Sequence, residues 1–290
     1  MYKRKRNVRS KSGGRLLVPF LLWSLFYSGI TLIQTISKGE DIDVARLIYR
    51  FIIGKASTPL YYIVVLLQIT ILAPMLVKAI QKHNKVNKWL WMVTPVYLIW
   101  IYIFNFATGK DPILYETLFP AWFIFFYLGL VMNQRTTCVQ KLVKRFARPY
   151  WILFSFTFEI IEACFLLKIG CNSSFASSQI KMSSFLYSFA IILYLFNKVS
   201  RREDKLWIGW IRRFMNYIGN NSYGIFYIHC FILMIVTRLL MRLGLGSNWF
   251  IYFLLCWIFT VIISLLCIKS IRAVAFRIRC NRILKWIGFN

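Results

Sequence analysis

The sequence predicts an all-α fold: a polytopic integral membrane helix bundle of about eight transmembrane helices, with both termini cytoplasmic. Three observations predict it. The 290 residues are 59% hydrophobic, with a mean hydropathy of +0.60, a composition suited to a bilayer rather than to water. Several windows exceed the ~18 apolar residues needed to cross a membrane. The basic residues complete the pattern, because 28 of the 37 lysines and arginines fall on one side when the loops are assigned alternately. By the positive-inside rule that side is the cytoplasm, which places the protein in the inner or plasma membrane as a multi-pass chain. The net charge of +28 is therefore topology information, and no nucleic-acid partner is expected.

Eight spans read as 16–36, 59–80, 89–107, 116–134, 149–168, 180–199, 220–242 and 248–270. Residues 1–15 form a basic cytoplasmic arm, 16–270 the transmembrane domain, and 271–290 a basic amphipathic tail on the inner leaflet. Pro19 is expected in the first turn of span one, where its missing amide does no harm. In the first outward loop, Val44–Ile53 reads as a short surface helix. Span two carries Gln68 and Thr70 at depth and Pro74 as a kink or helix end. Thr94 and Asn105 lie in span three. Span four runs from Phe119-Pro120-Ala121-Trp122 to Gly129, where the glycine is expected to let another helix approach closely.

Span five holds Glu159 and Glu162, two carboxylates at spacing i, i+3 on one helix face. Intramembrane carboxylates are functional candidates, and the rival reading is an interior polar bond. Asn172-Ser173-Ser174 matches the glycosylation pattern in an outward loop. The seven cysteines show no metal-ligand spacing, so no metal site is expected. Met1 leads into a basic run rather than an apolar core, so no cleavable signal peptide is read.

The densest run of candidate residues is Asn221-Ser222-Tyr223-Gly224-Ile225-Phe226-Tyr227-Ile228-His229. Asn220–Ser222 reads as a helix start, with Ser222 capping the first turn. His229 would then lie ~10 Å deeper, on the same face as Ser222. An ionisable ring at that depth faces protein or a wet pocket. It is either a proton carrier or donor to substrate, or a neutral packing histidine bonded to a neighbouring helix. Arg238, out of phase with that face, is expected to snorkel to the outer interface.

Three segments together resemble the acyltransferase 3 family of multi-pass membrane acyltransferases. Asn221 to His229 is similar to the family's late Ser-Tyr…Tyr…His helix. Arg15-Leu16-Leu17-Val18-Pro19-Phe20-Leu21-Leu22-Trp23-Ser24 resembles its basic-residue-then-proline entry. Trp122 to Gly129, followed by a basic loop, is similar to its Phe-x-Leu-Gly segment. The resemblance spans about Arg15 to Ile268.

The resemblance implies an O-acyltransferase that moves an acyl group, usually acetyl, from a cytoplasmic acyl-CoA to a hydroxyl of a cell-surface carbohydrate or lipid-linked sugar. Acetyl-CoA or another acyl-CoA is the donor substrate, and no tightly bound cofactor is expected. Expected partners are the lipid bilayer, the donor and the carbohydrate acceptor. His229, in a supporting role, and Glu159 are the catalytic candidates. Arg15, Ser222, Tyr223 and Tyr227 are the substrate-binding candidates. The family opens with a helix bearing an arginine and, about three turns on, a histidine thought to act in acyl transfer. No Arg-x10-His pattern occurs in this sequence. The expectation is a chain lacking the family's first two helices, and inactive where that catalytic helix is missing. Of the paired basic residues before the proline, Arg15 matches the second, and Ser12 stands at the first. Lys11 or Arg9 would substitute in charge but not in guanidinium geometry. The alternative from another class is an exporter of acylated polysaccharide or lipid-linked sugar, with Glu159, Glu162 and His229 along a polar pathway.

Overall fold

In the computed structural model of the protein, the described residues are 2–82, 89–133, 143–200 and 208–289. Among them every regular element is helical: α1 (Tyr2–Ser37), α2 (Val44–Ile52), a 3-10 turn (Thr58–Leu60), α3 (Tyr61–Lys82), α4 (Val93–Thr108), α5 (Phe119–Asn133), α6 (Pro149–Lys168), α7 (Ser173–Ala176), α8 (Met182–Ser200), α9 (Ile208–Arg242), a second 3-10 turn (Leu245–Ser247), α10 (Trp249–Arg277) and α11 (Asn281–Ile287). Five segments among the described residues are long and apolar enough to cross a membrane: Leu16–Ser37, Thr58–Lys78, Pro149–Lys168, Arg212–Arg242 and Trp249–Arg277. Val93–Thr108 and Phe119–Met132 are shorter apolar helices. The chain divides into two compact units, Met1–Leu67 with Leu206–Asn290, and Gln68–Lys205.

In the first unit, α9 and α10 form a hairpin across Gly244, whose φ of 72° suits the reversal. Ile228, Ile232, Val236 and Leu240 recur every fourth residue along α9 and bury a stripe with Cys256 and Ile268 of α10. The close approach of these helices depends on Gly224, where an added Cβ would lie 2.9 Å from Ile268 Cδ1. Gly129, expected to serve such a contact, has no atom within 4 Å of that position and is exposed. α1 packs on the opposite side of α9 through Phe20, Tyr27 and Tyr227. Pro19 lies well inside α1 rather than in its first turn. The predicted surface helix is α2, whose Asp43 accepts from the Arg46 amide at 2.9 Å.

The tail is not one amphipathic helix. Residues 271–277 finish α10, the chain reverses through Ile278–Cys280, and α11 follows. Arg272, counted in the sequence among surface charges, turns inward. Its Nη1 donates to Asn221 Oδ1 at 2.7 Å and its Nε to the Phe289 carbonyl at 2.8 Å. Phe289 is fully buried against α9, and the Trp23 indole of α1 donates to the Ile287 carbonyl at 3.0 Å. Between them Gly288 adopts φ 77°, with its vacant Cβ position 3.0 Å from the Tyr227 ring.

In the second unit, α4 and α5 pair through Leu98, Ile101 and Ala121, which share a buried cluster with Leu166 of α6, Phe175 of α7 and Phe185 of α8. Thr94 Oγ1 donates to the Pro120 carbonyl at 2.7 Å and accepts from the Ile124 amide at 3.0 Å. It therefore stands inside the hydrogen-bond ladder of α5. Gln68 does similar work one turn earlier, donating to the Thr117 carbonyl at 2.9 Å and accepting from the Phe119 amide at 2.8 Å.

Gly288→Val is expected to destabilise the first unit by about 2–3 kcal/mol, from left-handed backbone strain and a clash with Tyr227. Thermal unfolding of the detergent-solubilised protein measures it. An unchanged transition would mean that the hook at residues 287–289 is not docked on α9.

Candidate functional site

The run from Asn221 to His229 lies in the middle of α9 rather than at a helix start. The helix already begins at Ile208, so Ser222 caps nothing; its hydroxyl donates to the Gly219 carbonyl at 2.7 Å and the residue is exposed. The 14 residues of α9 ahead of Ser222 carry too many polar side chains to read as membrane-spanning, which hid the true start. Once on a continuous helix, Tyr223 and Tyr227 stand one turn apart, and their hydroxyls meet at 3.0 Å. Tyr227 is fully buried, with the Trp23 indole stacked on its ring at 5.9 Å. Arg15 lies on α1, and its side chain is outside the described residues, as are those of Arg9, Lys11 and Ser12.

The local geometry of His229 is set by Tyr27 of α1, which the sequence did not single out. The Tyr27 hydroxyl donates to the Tyr227 carbonyl at 2.7 Å and accepts from the Phe231 amide at 3.2 Å. Those two groups are an i, i+4 pair that would ordinarily bond each other. A side-chain hydroxyl of α1 therefore bridges the carbonyl and the amide of α9 that flank His229. His229 Nδ1 lies 3.0 Å from the Ile225 carbonyl. A carbonyl only accepts, so Nδ1 carries the proton in the neutral ring and Nε2 presents its lone pair. Cys230 Sγ lies 3.4 Å from Nε2 and is a weak donor to it. The Cys230 thiol thus stands at the nitrogen where a base would act.

Around this turn the polar atoms are held tightly. Asn221, 3% exposed, donates to the Tyr217 carbonyl at 2.7 Å and accepts from Arg272. Ser24 of α1 is fully buried, and its hydroxyl has no hydrogen-bond partner among the described residues. Arg238 is exposed, away from the His229 turn.

Glu159 and Glu162 belong to the second unit, so the structure groups them apart from the α9 residues. Glu162 is a helix cap in effect. It accepts from the Ser183 amide at 2.9 Å, at the start of α8, and from the Tyr102 hydroxyl. The first-turn amides of α8 have no partner in their own helix, and a carboxylate beside them is stabilising. Glu159 accepts from the Ser184 hydroxyl at 2.8 Å. It also lines a cavity of about 730 Å³ with Lys181 and the small residues of α7. Asn172, of the glycosylation-type triplet, caps α7 and reaches Asp111, which also accepts from Ser174 Oγ at 2.6 Å. Nearby Tyr115, in the loop after α4, has its phenol pKa raised by burial and by the Glu116 and Asp111 carboxylates. Cys171 is likewise pushed up by burial, with a further push from Asp111. No group of three or more metal-ligating side chains occurs among the described residues.

Tyr27→Phe leaves the Tyr227 carbonyl and Phe231 amide without their bridge. It is expected to lower stability by about 1–3 kcal/mol. Ser222→Ala is the control, expected within about 0.5 kcal/mol of wild type. Equal unfolding temperatures for Tyr27→Phe and wild type would show that α9 closes its own ladder.

Against known proteins, a family model described as an acyltransferase domain matches residues 11–269. No curated protein and no solved structure matches the chain.

Proposed function

Because the chain belongs to the acyltransferase 3 family, we propose that it is a membrane-bound O-acyltransferase that uses an acyl-CoA, acetyl-CoA foremost, to acylate a hydroxyl of a cell-surface carbohydrate or lipid-linked sugar. The family match over nearly the whole chain is the observation that carries the reaction class. Donor, acceptor and site residues follow from the chemistry that such a transfer needs. The acceptor hydroxyl attacks the thioester carbonyl and loses a proton, the carbonyl oxygen becomes an oxyanion, and the coenzyme leaves as a thiolate.

In this reading His229 supports the transfer by accepting a hydrogen bond at Nε2. Its tautomer is held by the Ile225 carbonyl. The Tyr223 hydroxyl is a donor on the same helix as that ring, and the buried Tyr227 positions it through their mutual contact. Ser222 stands exposed about two turns from His229. Arg15 supplies positive charge for the donor phosphates. Glu159 holds no acyl-transfer step in this scheme, since its partner is the Ser184 hydroxyl of its own unit.

A second reading, export of an acylated or lipid-linked saccharide, is favoured by one observation: the ionisable lining of the α6–α8 cavity. Membranes containing the protein, given labelled acetyl-CoA, separate the two. Acyl transfer predicts label in a carbohydrate fraction, lost on deletion while export continues. Export loss without any change in labelling would support the transporter.

For His229→Ala, labelling is expected to fall about tenfold, equivalent to ~1.4 kcal/mol of barrier, with the protein still inserted and folded. Wild-type turnover in that variant would remove His229 from the reaction.

A further inference from the structure

The α6–α8 cavity holds two ionisable groups that the proposed reaction does not use. Lys181 is 2% exposed, and its Nζ donates to the Ala176 carbonyl at 2.7 Å. An ammonium carries three donors, and this is its one bond among the described residues. Glu159 accepts from Ser184 and has further lone pairs. Both groups line the same space of about 730 Å³, yet no ion pair within 4.0 Å joins them. A buried ammonium with donors unmet is costly, so Lys181 calls for an occupant of the space it shares with the half-buried Glu159.

The walls say what kind of occupant. Phe156, Ile160 and Leu167 of α6 line the cavity and are 47%, 50% and 53% exposed. α6 is the least buried of the five long apolar helices, at 11% of its apolar window. Its 20 residues span ~30 Å, the thickness of a hydrocarbon core. The cavity therefore opens sideways through an apolar wall that runs from Leu167, one residue from the helix end, to Phe156 near its middle. The floor is different: Lys181 and the hydroxyl residues Ser173, Ser174 and Ser177.

We propose that this cavity is a binding site for a phosphate-bearing lipid with a hydroxylated headgroup. Its phosphate meets the Lys181 ammonium, a headgroup hydroxyl donates to Glu159, and a hydrocarbon chain lies along Phe156, Ile160 and Leu167. A charge-assisted bond to a phosphate uses the ammonium hydrogens that Ala176 leaves free. A neutral lipid would leave that cation unmet. A soluble phosphate would leave the apolar wall uncovered.

Native mass spectrometry of the full chain, released from mixed micelles, tests the site. The probes are phosphatidylglycerol, phosphatidic acid, diacylglycerol and soluble glycerol 3-phosphate. Wild type is expected to retain phosphatidylglycerol about tenfold over diacylglycerol, the worth of a charge-assisted bond to phosphate. Lys181→Met should abolish that preference, whereas Lys168→Met, outside the cavity, should keep it. Glu159→Gln should keep the preference over diacylglycerol but bind phosphatidylglycerol and phosphatidic acid alike. Ile160→Trp alters only an exposed wall residue and should reduce lipid retention by filling the groove, which decides the matter if Lys181→Met does not fold. Undiminished phosphatidylglycerol retention in both Lys181→Met and Ile160→Trp overturns the proposal. So does glycerol 3-phosphate binding as tightly as the lipid. Lipid retention is read without any acyl transfer, so this site stands or falls separately from the proposed reaction.

Discussion

A hydroxyl lodged inside another helix is the interaction on which the first unit depends. Within a bilayer there is no water to satisfy an opened backbone pair, so a helix can be parted only where protein supplies both a donor and an acceptor. The Tyr27 hydroxyl supplies both to α9. Its effect is mutual: α9 gains a polar tie beside His229, and α1 gains a fixed register against it. Thr94 does the same to α5 in the second unit, where Pro120 and Ile124 are the bridged pair. Gln68 uses its amide likewise at the start of α5. Three polar side chains thus stand in for backbone, and each ties together helices that apolar packing alone would leave free to slide.

The two polar centres differ in physical kind. The α9 centre is aromatic and tightly bonded, with Tyr227 enclosed by Trp23, Tyr223 and Gly288. Its one imidazole is held in a single tautomer by a backbone carbonyl. The α6–α8 centre is ionic and open, with an ammonium and a carboxylate across a cavity. A dry, rigid setting suits a reaction that must exclude water, whereas an open cavity with an apolar side wall suits an amphiphile.

Much of the helical architecture was legible because spans of apolar residues and their flanking charges are properties of composition. Pro149–Lys168 and the short surface helix could be read almost to the residue. Helix starts were less legible. α1 and α9 extend upstream through polar and basic turns that a hydropathy window discards, and so Ser222 looked like a cap and Pro19 like a first-turn residue. His229, Tyr223 and Tyr227 stood out by spacing alone. Tyr27 and Lys181 did not, since one resembles any tyrosine in an apolar run and the other any loop charge. What distinguishes them is a partner 200 positions away in one case and near-complete burial in the other. Arg272 was misjudged for a related reason: alternating basic and apolar residues describe a surface helix equally well as a hinge followed by an inward turn.

The contact between Trp23 and Ile287 spans 264 positions of sequence. α1 leaves the ribosome before the intervening spans, and α11 emerges only after all of them have been threaded into the membrane. Until then the faces of Trp23 and Tyr227 that later meet Phe289 and Gly288 are bare. The wall behind the tyrosine pair is therefore assembled late, by closure between distant parts of the chain, and such non-local closure is slow. A partly synthesised chain would hold α9's residues in place of order but without their backing. The aromatic centre is in that sense a product of completed threading, kept unfinished while the nascent protein is still passing through the insertion machinery.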